Sequence, residues 1–342
     1  MAHSSCVTRI PSLTRSCLHR SSPITTSLTA SLPRSQRQQT RFSSHAPSSP
    51  SLAARGQKPT TIQTLQKMHQ EKSPITMLTA HNFPSALIAQ EAGMDMILVG
   101  DSLAMVSLGM PDTSEVTLDE MIMSARAVSR AVNRSFTVGD LPMGSYEISP
   151  EQALTSAIRM VKEGRMQSVK LEGGAEMAPA IKKITTAGIP LVAHIGLTPQ
   201  RQHALGGFKV QGNTLDKAMA LLRDAKAVED AGAFAVVLEC VPSEIAEEVT
   251  NALKIPTIGI GAGNKTSGQV LVQIDMIGIR PPDAFMPKFV KKYGSMWESG
   301  LAAIKQYKDE VSDRSYPGPQ HVYKSDAKVT EAFRAAIQST QS

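Results

Sequence analysis

The chain of 342 residues has few cysteines and aromatic residues, and no acidic residue precedes Glu71. Two of its three cysteines, Cys6 and Cys17, lie near the amino terminus. Only Cys240 remains in the body of the chain, which excludes a disulfide framework there. No apolar run approaches the roughly 20 residues that a transmembrane helix requires. These absences predict a soluble globular protein without a membrane partner.

The positive charge of the chain is concentrated in its first 55 residues, which hold seven arginines: Arg9, Arg15, Arg20, Arg34, Arg37, Arg41 and Arg55. Without them the net charge of +6 becomes −1, so the body is nearly neutral and a nucleic-acid partner is not indicated. The leader is rich in Ser, Thr, Arg and Pro and has no long apolar segment, which is typical of an organellar transit peptide. We predict that residues 1–57 direct the protein to the mitochondrial matrix. The alternatives are a plastid signal and a merely disordered tail.

From residue 59 onward, short β-rich runs alternate with longer amphipathic stretches. The predicted strands cover 75–80, 96–102, 135–141, 168–174, 190–196, 235–241 and 256–263, with a weaker eighth candidate at 272–278. These runs are apolar on both faces, as parallel strands covered by helices are. They predict a single (β/α)8 TIM barrel over 58–320 rather than an open doubly wound sheet, because the first turn, "TAHNFPS", lacks glycine. A C-terminal helix should follow at 286–311, and 321–342 should form a polar tail.

Acidic and basic residues lie at the ends of five consecutive predicted strands: Asp101 with Ser102, Asp140, Lys170 with Glu172, His194, and Glu239. In a (β/α)8 barrel the carboxyl ends of the strands form the rim where catalysis takes place. Alternate side chains of a strand share a face, so Lys170 and Glu172 should point the same way. A single aspartate at such a place can instead cap the next helix. Five strands in succession predict one polar pocket, with His194 as a hydrogen-bonding member rather than a metal ligand.

The predicted pocket contains three carboxylates, those of Asp101, Asp140 and Glu172, which would repel one another unless a cation lay among them. Oxygen ligands without a His/Cys cluster favour Mg²⁺, with Mn²⁺ or Co²⁺ as substitutes. Lys170 would supply positive charge to an oxyanion or enolate, and Glu239 is the candidate general base. Together these residues predict metal-assisted enolisation of an oxo acid.

Three further features are assigned lesser roles. "GIGAGNKT" at 259–266 differs from a Walker A loop because Asn264 replaces a glycine, so we predict a turn after the seventh strand. Strand alternation should turn Cys240 away from the pocket as a buried, inert thiol. The glycine-rich segment "LGGFKVQGN" at 205–213 could close over a substrate or be a plain connection.

Seven motifs occur in order between Lys58 and Gly318: "LVGDSLAM", "GDLPMGSY", "VKLEGG", "AHIGLTPQ", "GGFKVQG", "LECVP" and "IGIGAGNKTSGQVLV". Together they resemble the ketopantoate hydroxymethyltransferase family. The resemblance implies a Mg²⁺-binding (β/α)8 barrel that transfers a one-carbon unit from 5,10-methylenetetrahydrofolate to 3-methyl-2-oxobutanoate. The product would be 2-dehydropantoate, a precursor of pantothenate and coenzyme A. It also implies a homo-oligomer, often a decamer.

The resemblance carries over to individual residues of this chain. It implies Asp101, Asp140 and Glu172 as the metal site, Glu239 as the proton acceptor, and oxo-acid contacts from Asp101, Ser102, Asp140 and Lys170. "TAHNF" stands where the family commonly has "TAYDY", so His81 and Asn82 put any acidic role there in doubt. Two rival hypotheses are a lyase or mutase of the phosphoenolpyruvate mutase type and a non-catalytic binding barrel.

Overall fold

A closed barrel of eight parallel strands forms the centre of the computed structural model, which describes residues 58–340. The predicted leader therefore lies outside the described residues. Each strand pairs with the next, and the last pairs with the first, which confirms the single (β/α)8 barrel. The strands are β1 (Ile75–Thr79), β2 (Met96–Val99), β3 (Phe136–Asp140), β4 (Ser168–Glu172), β5 (Leu191–Gly196), β6 (Ala235–Glu239), β7 (Thr257–Ile260) and β8 (Gly268–Leu271).

Helices surround the barrel and begin at the capping residues that the sequence provides. Asn82 accepts a hydrogen bond from the Ser85 backbone N–H at 3.0 Å, and Ser149 caps a later helix in the same way. None of the described helices is long and apolar enough to cross a membrane. The helices are α1 (Ile62–Gln70), α2 (Phe83–Glu91), α3 (Leu103–Val106), α4 (Leu118–Ser129), α5 (Pro150–Lys162), α6 (Ala178–Thr186), α7 (Gln202–Leu205), α8 (Leu215–Asp230), α9 (Ser243–Ala252), α10 (Gln273–Met276), α11 (Met296–Ser312) and α12 (Ala327–Thr340).

Two apolar cores hold the barrel together. One lies between strands and helices, and the other contains alternate strand residues such as Met77, Met96 and Val192 together with Leu65 of α1. Phe136 and Phe234 belong to the second core, and their rings meet edge to face with centroids 5.5 Å apart. Period-two alternation puts the side chains of Val192 and His194 on the same, inward face of β5. Along this face the side chains therefore change from apolar to polar toward the carboxyl end of the strand.

The eighth strand was predicted at 272–278, and this prediction is wrong. The strand is β8, Gly268–Leu271, and α10 follows it directly. Glycine is required at position 268 because any side chain there would run into the Ile75 carbonyl of β1. The backbone N–H of Gln273 then donates to Thr79 Oγ1 at 3.0 Å, which ends the strand pairing. The β-branched composition of 272–278 concealed this short helix, and the glycine concealed the strand.

The C-terminal helix begins ten residues later than predicted, at Met296. Before it, the backbone N–H of Tyr293 donates to the Met276 carbonyl of α10 at 2.6 Å, which satisfies this donor without helical structure. In the first turn of α11, where backbone donors have no partner within the helix, the N–H of Trp297 donates to the Gly278 carbonyl at 2.7 Å. In the tail at 321–342, α12 is helical. Residues 261–267 join β7 to β8, which confirms the turn predicted for the Walker-like segment.

Candidate active site

A cavity of about 700 Å³ opens at the carboxyl ends of the strands. The structure brings all the sequence-predicted site residues together in its wall: Asp101, Ser102, Asp140, Lys170, Glu172, His194 and Glu239. They come from five strands or the turns directly after them. The polar side chains at the strand ends therefore lie in the wall of one cavity, whose remaining lining is largely apolar.

Strand register pairs the charged groups across neighbouring strands. Asp140 of β3 lies beside Lys170 of β4, and Lys170 Nζ is 2.8 Å from Asp140 Oδ1. Glu172 of β4 lies beside His194 of β5, and Glu172 Oε1 is 3.4 Å from His194 Nδ1. Lys170 and Glu172 thus share a face of β4, as predicted, and each contacts a partner on an adjacent strand.

Asp101 lies just beyond β2, and its backbone N–H donates to Asp140 Oδ2 at 3.0 Å. Neither aspartate caps the next helix, because Ser102 occupies the N-cap position of α3 and Ser149 occupies that of α5. Burial and repulsion from Asp140 and Glu172 raise the pKa of Asp101 to about 7. Burial also raises the pKa of Asp140, although Lys170 opposes it. The carboxylates are thus held close together in a buried pocket where negative charge is costly.

Two basic side chains offset this negative charge. Burial lowers the pKa of Lys170, but the surrounding carboxylates outweigh that effect and raise it above its usual value. Burial and Lys170 lower the pKa of His194, yet Glu172 and Glu239 raise it overall to about 9. Burial alone would raise the pKa of Glu172, but His194 and Lys170 lower it. At neutral pH the pocket therefore holds two cationic side chains beside a group of carboxyl groups, of which Asp101 is only partly ionised.

Glu239 ends β6, and its Oε2 lies 3.1 Å from His194 Nε2. Its side chain is 13% exposed, whereas those of Asp140 and Glu172 are almost fully buried. Glycine is required at position 196, opposite Glu239 in the β5–β6 register, because a side chain there would run into the Glu239 carbonyl. Because its side chain is more exposed than those of Asp140 and Glu172, Glu239 is the one of these carboxylates that a molecule in the cavity reaches most easily.

The prediction that Cys240 points away from the pocket is wrong, because Cys240 lines the cavity. The strand ends at Glu239, and Cys240 adopts a left-handed backbone with φ of 51°, so strand alternation no longer applies to it. Burial and the Glu239 carboxylate raise the pKa of the thiol to about 11. It is therefore protonated at neutral pH, which agrees with the predicted inert thiol.

The described residues contain no preformed group of three or more His, Cys, Asp or Glu side chains that could hold a metal ion. Lys170 occupies one side of Asp140, and the Gln200 side-chain amide donates to Asp101 Oδ2 at 2.7 Å. The predicted metal ligands are thus neighbours in one pocket, and at least one oxygen of each already has a protein partner.

The family model for ketopantoate hydroxymethyltransferase matches residues 59–319. The chain belongs to the ketopantoate hydroxymethyltransferase family. The 3-methyl-2-oxobutanoate hydroxymethyltransferase of Emericella nidulans is 62% identical over 297 residues, covering 87% of this chain and 85% of that protein. The enzyme of the same name from Oleidesulfovibrio alaskensis is 53% identical over 249 residues, covering 73% and 86%. The chain is accordingly an enzyme, a transferase of hydroxymethyl groups.

Solved structures share the fold of this ketopantoate hydroxymethyltransferase family member at much lower identity. Phosphonopyruvate hydrolase, solved with oxalate and Mg²⁺, aligns with a TM-score of 0.50 at 14% identity, covering 82% of this chain and 96% of its own. 2,3-Dimethylmalate lyase, a member of the PEP mutase/isocitrate lyase superfamily, gives the same score and identity and covers 83% and 100%. These likenesses support the barrel fold.

Three residues that contact the charged cluster from outside the cavity wall were not predicted from sequence. Gln200 and Tyr146 are almost fully buried beside the carboxylates, and His81 contacts Ser102, with Nε2 3.5 Å from Ser102 Oγ. Gln200 and Tyr146 end the motifs "AHIGLTPQ" and "GDLPMGSY", which was the available signal. Their partners are distant in sequence, so only the closed barrel reveals their contacts.

Burial lowers the pKa of His81 to about 4. In the unfolded chain this imidazole binds a proton near pH 6.5, whereas in the folded chain it does so only near pH 4. The free energy of unfolding should therefore decrease as the pH is lowered from 6.5 to 4. The shift of about 2.5 units corresponds to about 3 kcal/mol of unfolding free energy. We expect His81→Gln to remove this part of the pH dependence in urea unfolding. Above pH 7.5 the two proteins should show the same pH dependence; an unchanged acid dependence in the variant would contradict the assignment.

Proposed function

We propose that the chain transfers a one-carbon unit from 5,10-methylenetetrahydrofolate to 3-methyl-2-oxobutanoate with the help of Mg²⁺. The observation that carries this proposal is the charged cluster in the cavity wall, where Asp101, Asp140 and Glu172 lie close to Lys170, His194 and Glu239. Family membership supports the oxo acid as the acceptor, because the relatives are named for it.

The carboxylates fit a hard divalent cation by their chemistry. Burial, and then the neighbouring carboxylates of Asp140 and Glu172, raise the pKa of Asp101, and a bound cation would relieve the repulsion among the three. Mg²⁺ is usually held by one or two carboxylates and keeps several waters, so a preformed group of three ligands is not needed. Asp101, Asp140 and Glu172 would hold the ion. When bound, it would polarise the keto carbonyl of the oxo acid as a Lewis acid.

The protein's own residues would perform the proton transfer. Glu239 is the accessible carboxylate of the pocket and would take the proton from C3 of the oxo acid. Lys170, held by Asp140, would place its ammonium against the developing enolate oxygen. His194 keeps Glu239 and Glu172 in place from the strand between them. The enolate carbon would then form its new bond to the methylene carbon of the folate as one of the two C–N bonds of that carbon breaks and its nitrogen takes up a proton. Breaking of the second C–N bond and addition of water would release tetrahydrofolate and leave the hydroxymethyl group on the oxo acid.

We infer that the second substrate binds among the more exposed residues of the cavity wall. This part of the wall combines aromatic and apolar side chains with cations: Phe208, Val210, Phe285, Phe289, Lys209 and Lys288. Such a lining suits a planar ring system with a carboxylate tail. Phe208 and Val210 belong to the glycine-rich segment 205–213, for which closure over a substrate and a plain connection were both considered, and both residues are more than half exposed. We infer that the folate binds here and covers them.

Phe208→Ala should raise the KM for methylenetetrahydrofolate about fivefold, because it removes a stacking surface worth about 1 kcal/mol. The dissociation constant of the oxo acid should not change, since that ligand would bind at the charged cluster around Lys170. Phe333→Ala is the matched control, an exposed phenylalanine on α12. Steady-state kinetics with each substrate varied in turn would measure the difference. An unchanged folate KM would contradict this placement.

Product analysis tests the proposed function directly. The chain should form 2-dehydropantoate from 3-methyl-2-oxobutanoate and methylenetetrahydrofolate, and EDTA should abolish the activity until Mg²⁺ is restored. Cleavage of the oxo acid without folate would favour the lyase or mutase hypothesis. Calorimetry that detects neither Mg²⁺ nor oxo-acid binding would favour the non-catalytic barrel.

We also propose a homo-oligomer. Within a single chain α11 has no buried residue, and Trp297, Leu301, Ile304 and Val311 recur along it at helical spacing with more than a third of each exposed. Light scattering should give a mass several times that of the 36.6 kDa chain. Ile304→Glu should reduce that mass, and a monomeric wild-type protein would contradict the proposal.

We further propose that residues 1–57 direct the protein to the mitochondrial matrix. The proposal rests on the arginine-rich, acid-free composition of that segment. A fluorescent protein fused to residues 1–57 should enter mitochondria, and one fused to a version with its arginines replaced by glutamine should not. Import into plastids alone, or a diffuse signal, would contradict it.

A further inference from the structure

Gln200 connects two carboxylates, that of Asp101 just beyond β2 and that of Glu172 at the end of β4. Its side-chain Nε2 donates to Asp101 Oδ2 at 2.7 Å, and its backbone N–H donates to Glu172 Oε2 at 3.1 Å. Gln200 is 2% exposed and lies in the short 3₁₀ helix Pro199–Arg201 that follows β5. One residue thus holds one oxygen of each carboxylate, although Asp101 is 99 positions away in the chain.

The orientation of the Gln200 amide is determined by two further groups. Nε2 also donates to the Leu141 carbonyl at 3.1 Å, and a carbonyl can only accept. On the other side, Tyr146 Oη lies 2.5 Å from Gln200 Oε1. The single phenolic proton goes to this close acceptor, while the Glu172 backbone N–H approaches the phenol oxygen at 3.4 Å. The amide nitrogen must therefore face Asp101.

We propose that Gln200 is a positioning residue for the predicted metal ligands Asp101 and Glu172, and that Tyr146 acts through it by fixing its amide. This inference rests on the proposed metal site. It goes beyond that site because neither residue would touch the metal or the substrate. Partners that orient ligating carboxylates typically change metal affinity by about 10- to 100-fold when they are removed.

Mn²⁺ binding, followed by the EPR signal of the free ion, tests this role without any assay of activity. Gln200→Ala should weaken Mn²⁺ binding about 10- to 100-fold. It removes the amide donor to Asp101 but keeps the backbone N–H that serves Glu172. Tyr146→Phe should weaken binding by a smaller factor and is the milder variant where Gln200→Ala fails to fold. Gln269→Ala is the matched control, because Gln269 is exposed and its amide donates to the Gly263 carbonyl and Thr266 in the loop before β8.

The double variant separates a positioning role from general loosening of the fold. If Tyr146 acts through Gln200, Tyr146→Phe should have no further effect on Mn²⁺ affinity once Gln200 is alanine. Independent, additive losses would overturn the proposed connection, and wild-type affinity in Gln200→Ala would overturn the positioning role while leaving the metal site intact. Failure of the unaltered chain to bind Mn²⁺ would overturn the metal site itself, and this inference with it.

Discussion

Glu239→Gln is expected to lower the rate of 2-dehydropantoate formation about 10²- to 10⁴-fold, the usual contribution of a general base. Glutamine keeps the size of the side chain and its contact with His194 but cannot take a proton. The wild-type carboxylate lies 3.1 Å from His194 Nε2 and lines the cavity. Because the other site residues are untouched, the dissociation constants of the oxo acid and Mg²⁺, measured by calorimetry, should stay within a few-fold of wild type.

Glu248→Gln provides the matched control for this variant. Glu248 is exposed on α9, the helix that follows β6, so the same chemical change there should leave turnover unaffected. Turnover by Glu239→Gln at the control's rate would remove Glu239 from the mechanism. Loss of oxo-acid binding along with turnover would instead assign it to substrate binding.

Lys170→Met is expected to destabilise the protein by about 3–5 kcal/mol, the usual effect of removing one partner of a buried ion pair. Lys170 and Asp140 are both almost fully buried, and their charged atoms lie 2.8 Å apart. Without the ammonium, the Asp140 carboxylate would remain buried beside Asp101 and Glu172 with no adjacent lysine. Urea unfolding in the presence of EDTA would measure the loss without a metal ion replacing the missing charge.

The matched control for Lys170→Met is Lys67→Met on α1. Lys67 forms a surface pair with Glu71 at 3.6 Å, and both side chains are more than half exposed. Its replacement should cost less than about 1 kcal/mol. Combining Lys170→Met with Asp140→Asn should recover part of the stability, because the uncompensated carboxylate is removed as well. Equal costs for the two lysine variants would contradict the ion-pair interpretation.

Much of the site could be predicted because strand geometry is simple. Period-two alternation placed Lys170 and Glu172 on one face, and the barrel then brought His194 and Glu239 to the same rim. Alternation failed at Cys240, where the strand had ended and the backbone became left-handed. The rule therefore holds only as far as the strand ladder continues.

The contacts between strands could not be predicted, because no local pattern determines register. Hydrogen bonding across β3 and β4 sets Asp140 beside Lys170, and the chain between these strands gives no sign of that alignment. The hydrogen bond from Gln200 to Asp101 could not be predicted either, because it joins residues that are 99 positions apart and meet only in the closed barrel. β8 was misplaced because its glycine meets a close-packing requirement of β1 that appears only in the closed barrel.

Exchange of the C3 proton of 3-methyl-2-oxobutanoate in D₂O, followed by NMR without folate, tests the proposed enolisation most directly. We expect the chain with Mg²⁺ to catalyse the exchange, EDTA to stop it, and added Mg²⁺ to restore it. Exchange that continues at full rate in EDTA would contradict metal-assisted enolisation. No exchange until folate is present would contradict proton removal by Glu239 as a step that precedes one-carbon transfer.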